Sequence, residues 1–257
     1  MTAAAAGLSV LCFYAFFYRS VVARWGGAVQ WVLRPLQLER LHPVRHVDAV
    51  GKLAAAAVAQ LLFAVALFWA LGARWGEIVG QHAALIPEAA LLGAGELALT
   101  SLICTLIVEV ASARRGPARE TVRREWAAQT HGGWMSYFLL TMRAAPPAVA
   151  LGSICLYVGV EELIFRGLLI PALLDAGLGG TGSVASSALL FVGVQALAMP
   201  SRRAALFPMV GAAVIGVVHG ILFLHVPDVI PLAVAHVAFF AAAMSLARPQ
   251  AARVTNP

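Results

Sequence analysis

Two adjacent carboxylates and an arginine, Glu161, Glu162 and Arg166, stand in the run Val160-Glu161-Glu162-Leu163-Ile164-Phe165-Arg166-Gly167-Leu168-Leu169-Ile170-Pro171, whose other side chains are apolar. Ionisable groups are costly in such a setting and are usually kept for a use. On a helix Glu162 and Arg166 fall at i and i+4, one above the other, so they can pair and lower each other's burial cost. Glu161 points about 100° away from Glu162 at 3.6 residues per turn and has no cation on its own face. A carboxylate so placed can act as a base toward water near neutral pH. It then needs a second polar group to hold the water or to stabilise the oxyanion. Three side chains further along the chain are candidates: Gln195, His219 and His236. His236 lies inside the apolar run Leu232 to Phe240, where a catalytic histidine and a core histidine bonded to a carbonyl are both open readings.

Such residues need a scaffold, and the composition says which kind. Of 257 residues 61% are hydrophobic and only 12% charged, and the mean hydropathy is +0.86. A soluble domain carries about a quarter charged residues. The expected fold is an all-α polytopic membrane helix bundle of about seven to eight transmembrane helices, residues 1–257 forming one integral membrane domain. Within it, 1–145 hold variable spans and interfacial segments, and 146–247 hold the core that carries the carboxylates. The spans are expected at 4–18, 53–71, 87–112, 146–176, 183–199, 206–224 and 229–247. A re-entrant piece around Trp134 to Leu140 would make an eighth. The polar, basic stretches Arg19–Lys52 and Ala113–Arg143 read as interfacial segments. Glu96, about 12 Å beyond Glu88 at 1.5 Å per residue, is deep in the third span. It either lines a cavity or is a hydrogen-bonded packing residue.

The basic residues fix the expected orientation. Six follow the first span, six follow the third, Arg202 and Arg203 follow the fifth and two are in the tail, whereas the intervening loops hold only Arg74. This alternation predicts an N-terminus outside and a C-terminus in the cytoplasm, in the inner membrane of a bacterium. Because the cations lie between apolar runs with no interleaved aromatic platform, the pI of 9.9 is a topology signal, and no nucleic-acid partner is expected. Cys12, Cys104 and Cys155 are scattered through apolar runs as small packing residues. His42-Pro43-Val44-Arg45-His46-Val47-Asp48-Ala49-Val50-Gly51 is similar to a segment of the site-2 type zinc proteases, but no H-E-x-x-H run accompanies it. No metal and no cofactor is expected.

The run Glu161-Glu162-Leu163-Ile164-Phe165-Arg166, with Gly167 and Pro171 after it, resembles the E-E-x-x-x-R signature of the CAAX-type prenyl endopeptidases, also called the ABI or CPBP intramembrane proteases. Phe191-Val192-Gly193-Val194-Gln195 resembles that family's F-x-x-x-H segment, and His236-Val237-Ala238-Phe239-Phe240 its H-x-x-x-N segment. The resemblance covers roughly the C-terminal 100 residues. It implies a glutamate-type intramembrane endopeptidase in which Glu161 activates water, Glu162 and Arg166 brace the site, and His236 helps to stabilise the tetrahedral intermediate. The chain departs from the pattern at two places. Gln195 can orient a water but cannot accept its proton, and Phe240 offers no hydrogen bond. His219, one span away, is a candidate substitute, although its spacing to His236 does not fit a shift of register.

Two function classes follow, together with a less favoured transporter reading that has no repeated spans or paired broken helices behind it. One is a protease acting on a membrane-associated protein or peptide within the lipid bilayer. The other is a catalytically degenerate relative that serves as a membrane scaffold, maturation partner or immunity-type factor. The sequence leaves the substrate and the oligomeric state open.

Overall fold

The structure, a computed structural model, describes residues 1–18, 20, 44–80, 82–114, 141, 147–199 and 202–254. Among them the regular secondary structure is all helical, without a strand. Helix α1 (Ala3–Cys12) is capped by Thr2, whose side chain accepts from the Ala5 N–H, and runs on through π-helical turns at Phe13–Tyr18. Helix α2 spans Val44–Leu71, α3 Ile86–Ala113, α5 Gly179–Ala198, α6 Arg202–His225 and α7 Val229–Val254. Between α3 and α5 lies α4, which begins at Pro147–Glu162, widens into π-helical turns at Leu163–Leu169 and ends as Ile170–Asp175. The all-α membrane bundle expected from the composition is therefore the architecture observed, with seven helical segments among the described residues. Four of them, in α2, α3, α5 and α6, are long and apolar enough to cross a membrane. The two interfacial segments and the re-entrant piece at Trp134 to Leu140 fall largely outside the described residues.

Several boundaries differ from the sequence reading. Helix α2 starts at Val44, well before Leu53, because the buried stripe Ala49, Leu53, Ala56, Gln60 already holds helical spacing through the polar stretch that contains Lys52. Helix α5 starts at Gly179, so the turn expected at 177–182 shrinks to a short link in which Gly177 and Gly179 take positive φ. Helix α6 starts at Arg202, four residues ahead of the predicted span.

Helix α4 is the centre of the bundle. Residues 160 to 170 are buried without interruption, which is the pattern of a helix enclosed on every side. Pro171 offers no N–H to the turn before it, and the widened segment just upstream accommodates that loss. The Phe165 carbonyl in this segment accepts from Ser187 Oγ of α5 at 2.8 Å. Small residues set the close crossings around it. A Cβ at Gly93 of α3 would lie 2.0 Å from the Ala235 carbonyl oxygen of α7, so only glycine permits that approach. At Gly216 of α6 a Cβ would meet the Cα of Ala188 in α5 at 3.1 Å.

Candidate active site

The two glutamates leave α4 in different directions and meet different neighbours. Arg166 Nη1 lies 3.3 Å from Glu162 Oε1, at the i, i+4 spacing. His236 Nδ1 of α7 is 2.7 Å from the same oxygen. His219 Nδ1 of α6 is 3.0 Å from Glu162 Oε2, and its Nε2 is 3.2 Å from Glu96 Oε1 of α3. All five side chains are buried. Glu162 is thus held by three basic groups from three segments, and the guanidinium of Arg166 also lies 4.9 Å above the Phe191 ring.

The hydrogen-bond partners of Glu161 are neutral amides, although Glu162 and Arg166 are near enough to act on it through their charge. Gln195 Nε2 of α5 donates to Glu161 Oε1 across 3.5 Å, a long contact. Gln60 of α2 also approaches this carboxylate and donates to the Tyr14 hydroxyl at 3.1 Å. The Tyr14 phenol is close enough to Glu161 to feel its charge.

A cavity of about 50 Å³ adjoins the cluster, lined by Gln195, His236, Phe191, Phe207, Phe240 and neighbouring small residues of α6. Gln195 and His236 are the polar members of its wall. Gln195 leans on Glu161 and His236 leans on Glu162, so each polar wall residue is backed by one of the two carboxylates. Phe240 stacks on the His236 ring at 5.3 Å and 24°, forming part of the wall and leaving the space unfilled.

The residues singled out from the sequence therefore gather in one region, with a different internal pairing from the one expected. His236 meets Glu162 and not Glu161, and Glu162 is more than a partner for Arg166. Glu96, for which the sequence left two readings open, is a partner of His219. Gln60 and Tyr14 were missed. Gln60 is a lone amide in the apolar stretch Leu53 to Leu71, and that isolation is the signal that could have marked it. Among the described residues no three His, Cys, Asp or Glu side chains are grouped to hold a metal ion.

Residues 143–242 match the family model described as Type II CAAX prenyl endopeptidase Rce1-like, which covers α4 to α6 and the first part of α7, less than half of the chain. No curated protein and no solved structure matches the chain. An integral membrane bundle whose C-terminal helices are similar to a prenyl endopeptidase family is what the fold and the comparison establish together.

Proposed function

We propose, from that family match and the geometry around α4, that the chain is an intramembrane endopeptidase that hydrolyses a peptide bond of a membrane-associated protein or peptide. The observation that carries the proposal is the water-sized cavity whose two polar wall residues are each backed by a buried glutamate. In this reading the 3.5 Å contact between Gln195 and Glu161 is long and weak, and a water beside it can hydrogen-bond to both groups. Glu161 takes a proton from that water, and the hydroxide adds to the substrate carbonyl. Glu161 then passes the proton to the leaving amine as the tetrahedral intermediate collapses. Gln195 orients the water. His236, anchored through Nδ1 by Glu162, turns its remaining ring nitrogen to chemistry and in its protonated form stabilises the oxyanion. Glu162, Arg166 and His219 hold His236 in place. The domain is one membrane unit in the inner membrane of a bacterium, with its N-terminus outside.

A second reading has one observation in its favour. Phe240 gives the cavity an aromatic face where a hydrogen-bonding side chain would assist catalysis, as in a relative that binds a membrane partner without cutting it. The experiment that separates the two uses purified protein in nanodiscs and a quenched-fluorescence peptide library, with and without an attached prenyl chain. The protease reading expects hydrolysis by the wild type and none by Glu161→Gln that is still folded. Equal processing by both proteins would sink the assignment of Glu161, and silence of the wild type on every peptide would favour the binding reading.

A further inference from the structure

Glu96 belongs to α3, outside the residues that match the family model, and none of the proposed hydrolytic steps uses it. It is nevertheless buried and aimed at the cluster: Glu96 Oε1 is 3.2 Å from His219 Nε2, and the other ring nitrogen of His219 is 3.0 Å from Glu162 Oε2. The approach is built into the helix crossing. Gly93, at i−3 from Glu96 on the same face, is the residue that lets α3 press against α7 at Ala235, next to His236.

The chemistry of the ring limits what this arrangement can be. Neither ring nitrogen makes an aligned hydrogen bond to its carboxylate, so the pairing is one of charge, and a ring lying between two carboxylates is favoured as the cation. A neutral ring has one N–H, and His219 faces a carboxylate on each side. A second ring proton gives each carboxylate a positive partner. Neither Glu96 oxygen has a hydrogen-bond partner among the described residues, so the His219 ring is the group that offsets its charge. The charged groups facing His219 are Glu162 and Arg166 from α4, Glu96 from α3 and His236 from α7, whose ring centroid is 6.1 Å away. Helix α5, which packs against α6, has no ionisable side chain. Without Glu96, an imidazolium at this position would share its one remaining carboxylate with Arg166 and His236.

We propose that Glu96 is a positioning residue that keeps His219 doubly protonated, so that His219 and Arg166 together hold Glu162 as the anion that fixes His236. The pair recruits the N-terminal half of the chain into the machinery of the C-terminal half. Its consequence for rate rests on the hydrolytic reading; the state of the ring does not.

The test follows ring nitrogens by NMR in nanodiscs, using ¹⁵N-histidine-labelled protein with His219 assigned by comparison with His219→Gln. The wild type is expected to show both His219 nitrogens protonated at neutral pH. Glu96→Gln is expected to move one of them to the unprotonated range at the same pH, and Glu96→Asp to restore it. A wild-type ring with one bare nitrogen, or a Glu96→Gln spectrum identical to wild type, overturns the proposal. On the peptide substrate, kcat of Glu96→Gln should fall about 10- to 100-fold with KM nearly unchanged, as when a carboxylate behind a ligand histidine is removed. The alkaline limb of its pH–rate profile should move to lower pH and return in Glu96→Asp. If Glu96→Gln fails to fold, the wild-type spectrum and Glu96→Asp still decide the matter. If no peptide is cut, the hydrolytic reading fails while the spectra still judge Glu96.

Discussion

Glu161 and Glu162 are bonded neighbours, yet the bundle gives one of them neutral hydrogen-bond partners, with Glu162 and Arg166 acting only through their charge, and the other three basic side chains in direct contact. Around Glu162 are Arg166, His219 and His236, with a second carboxylate, Glu96, behind His219. Around Glu161 are the amides of Gln195 and Gln60 and the phenol of Tyr14. A turn of about 100° per residue is enough to hand consecutive side chains to different helices. The charge inventory then separates their work. An anion surrounded by cations is held in one state and serves as a fixed anchor, whereas a carboxylate among amides can gain and lose a proton with little rearrangement of charge nearby.

The largest test of this contrast is Glu162→Gln. It leaves Arg166 as a buried cation and removes the anchor of both histidines, so a loss of about 3–5 kcal/mol is expected, the usual cost of breaking a buried ion pair from one side. Reversible unfolding in mixed micelles measures it. Glu161→Gln is the paired experiment. It should change stability by less than about 1 kcal/mol, since the Gln195 contact it replaces is long and a glutamine can still accept from that amide. Peptide hydrolysis should nevertheless fall by about 100-fold or more, the scale of a lost general base. Equal destabilisation by the two substitutions would erase the distinction between anchor and base.

Gly93→Ala probes the same contrast from a distance. The added methyl would collide with the Ala235 carbonyl, so α3 must retreat from α7, at an expected cost of about 1–3 kcal/mol for overpacking. The displacement strikes the Glu162 side alone, through His236 and Glu96. The His236 ring-nitrogen signals should shift in this variant, while a reporter near Tyr14 on the Glu161 side should stay put. Movement on both sides would show that the two carboxylates share one rigid environment.

How much of this was legible in the sequence depends on the range of each contact. The apolar runs announced the helices, and the i, i+4 spacing announced the Glu162–Arg166 pair, because both are local properties of one segment. That His219 and His236 would both turn to Glu162 was not legible. Their approach depends on how α6 and α7 rotate about their axes, and crossings such as Gly93 on Ala235 and Gly216 on Ala188 set that rotation. The same holds for Glu96, whose partner is more than a hundred residues away. The start of α2 was misplaced for a related reason: charged residues mark an interface in sequence, but the buried stripe from Ala49 to Gln60 carries the helix through it.

The smallest effect is expected where a carboxylate accepts chiefly from backbone N–H groups at a helix end. Asp228, before α7, is buried and accepts from the N–H groups of Ile230 at 2.9 Å, His82 at 2.8 Å and Gly80 at 3.2 Å. It caps α7 and ties the link between α2 and α3 to it, helped by the Val229 N–H donating to the Ile78 carbonyl at 3.0 Å. Asp228→Asn keeps one acceptor oxygen and turns an amide toward a donor on the other side, so a loss of about 1 kcal/mol is expected. Hydrogen exchange should quicken at His82 and Gly80, and the His236 ring signals should not move. These backbone contacts lie at the end of the bundle, so the substitution loosens a cap and a loop. If Asp228→Asn instead disturbed His236 as Gly93→Ala does, the α7 N-terminus would itself be setting the Glu162 cluster, and the division between the two glutamates would extend to the end of the bundle.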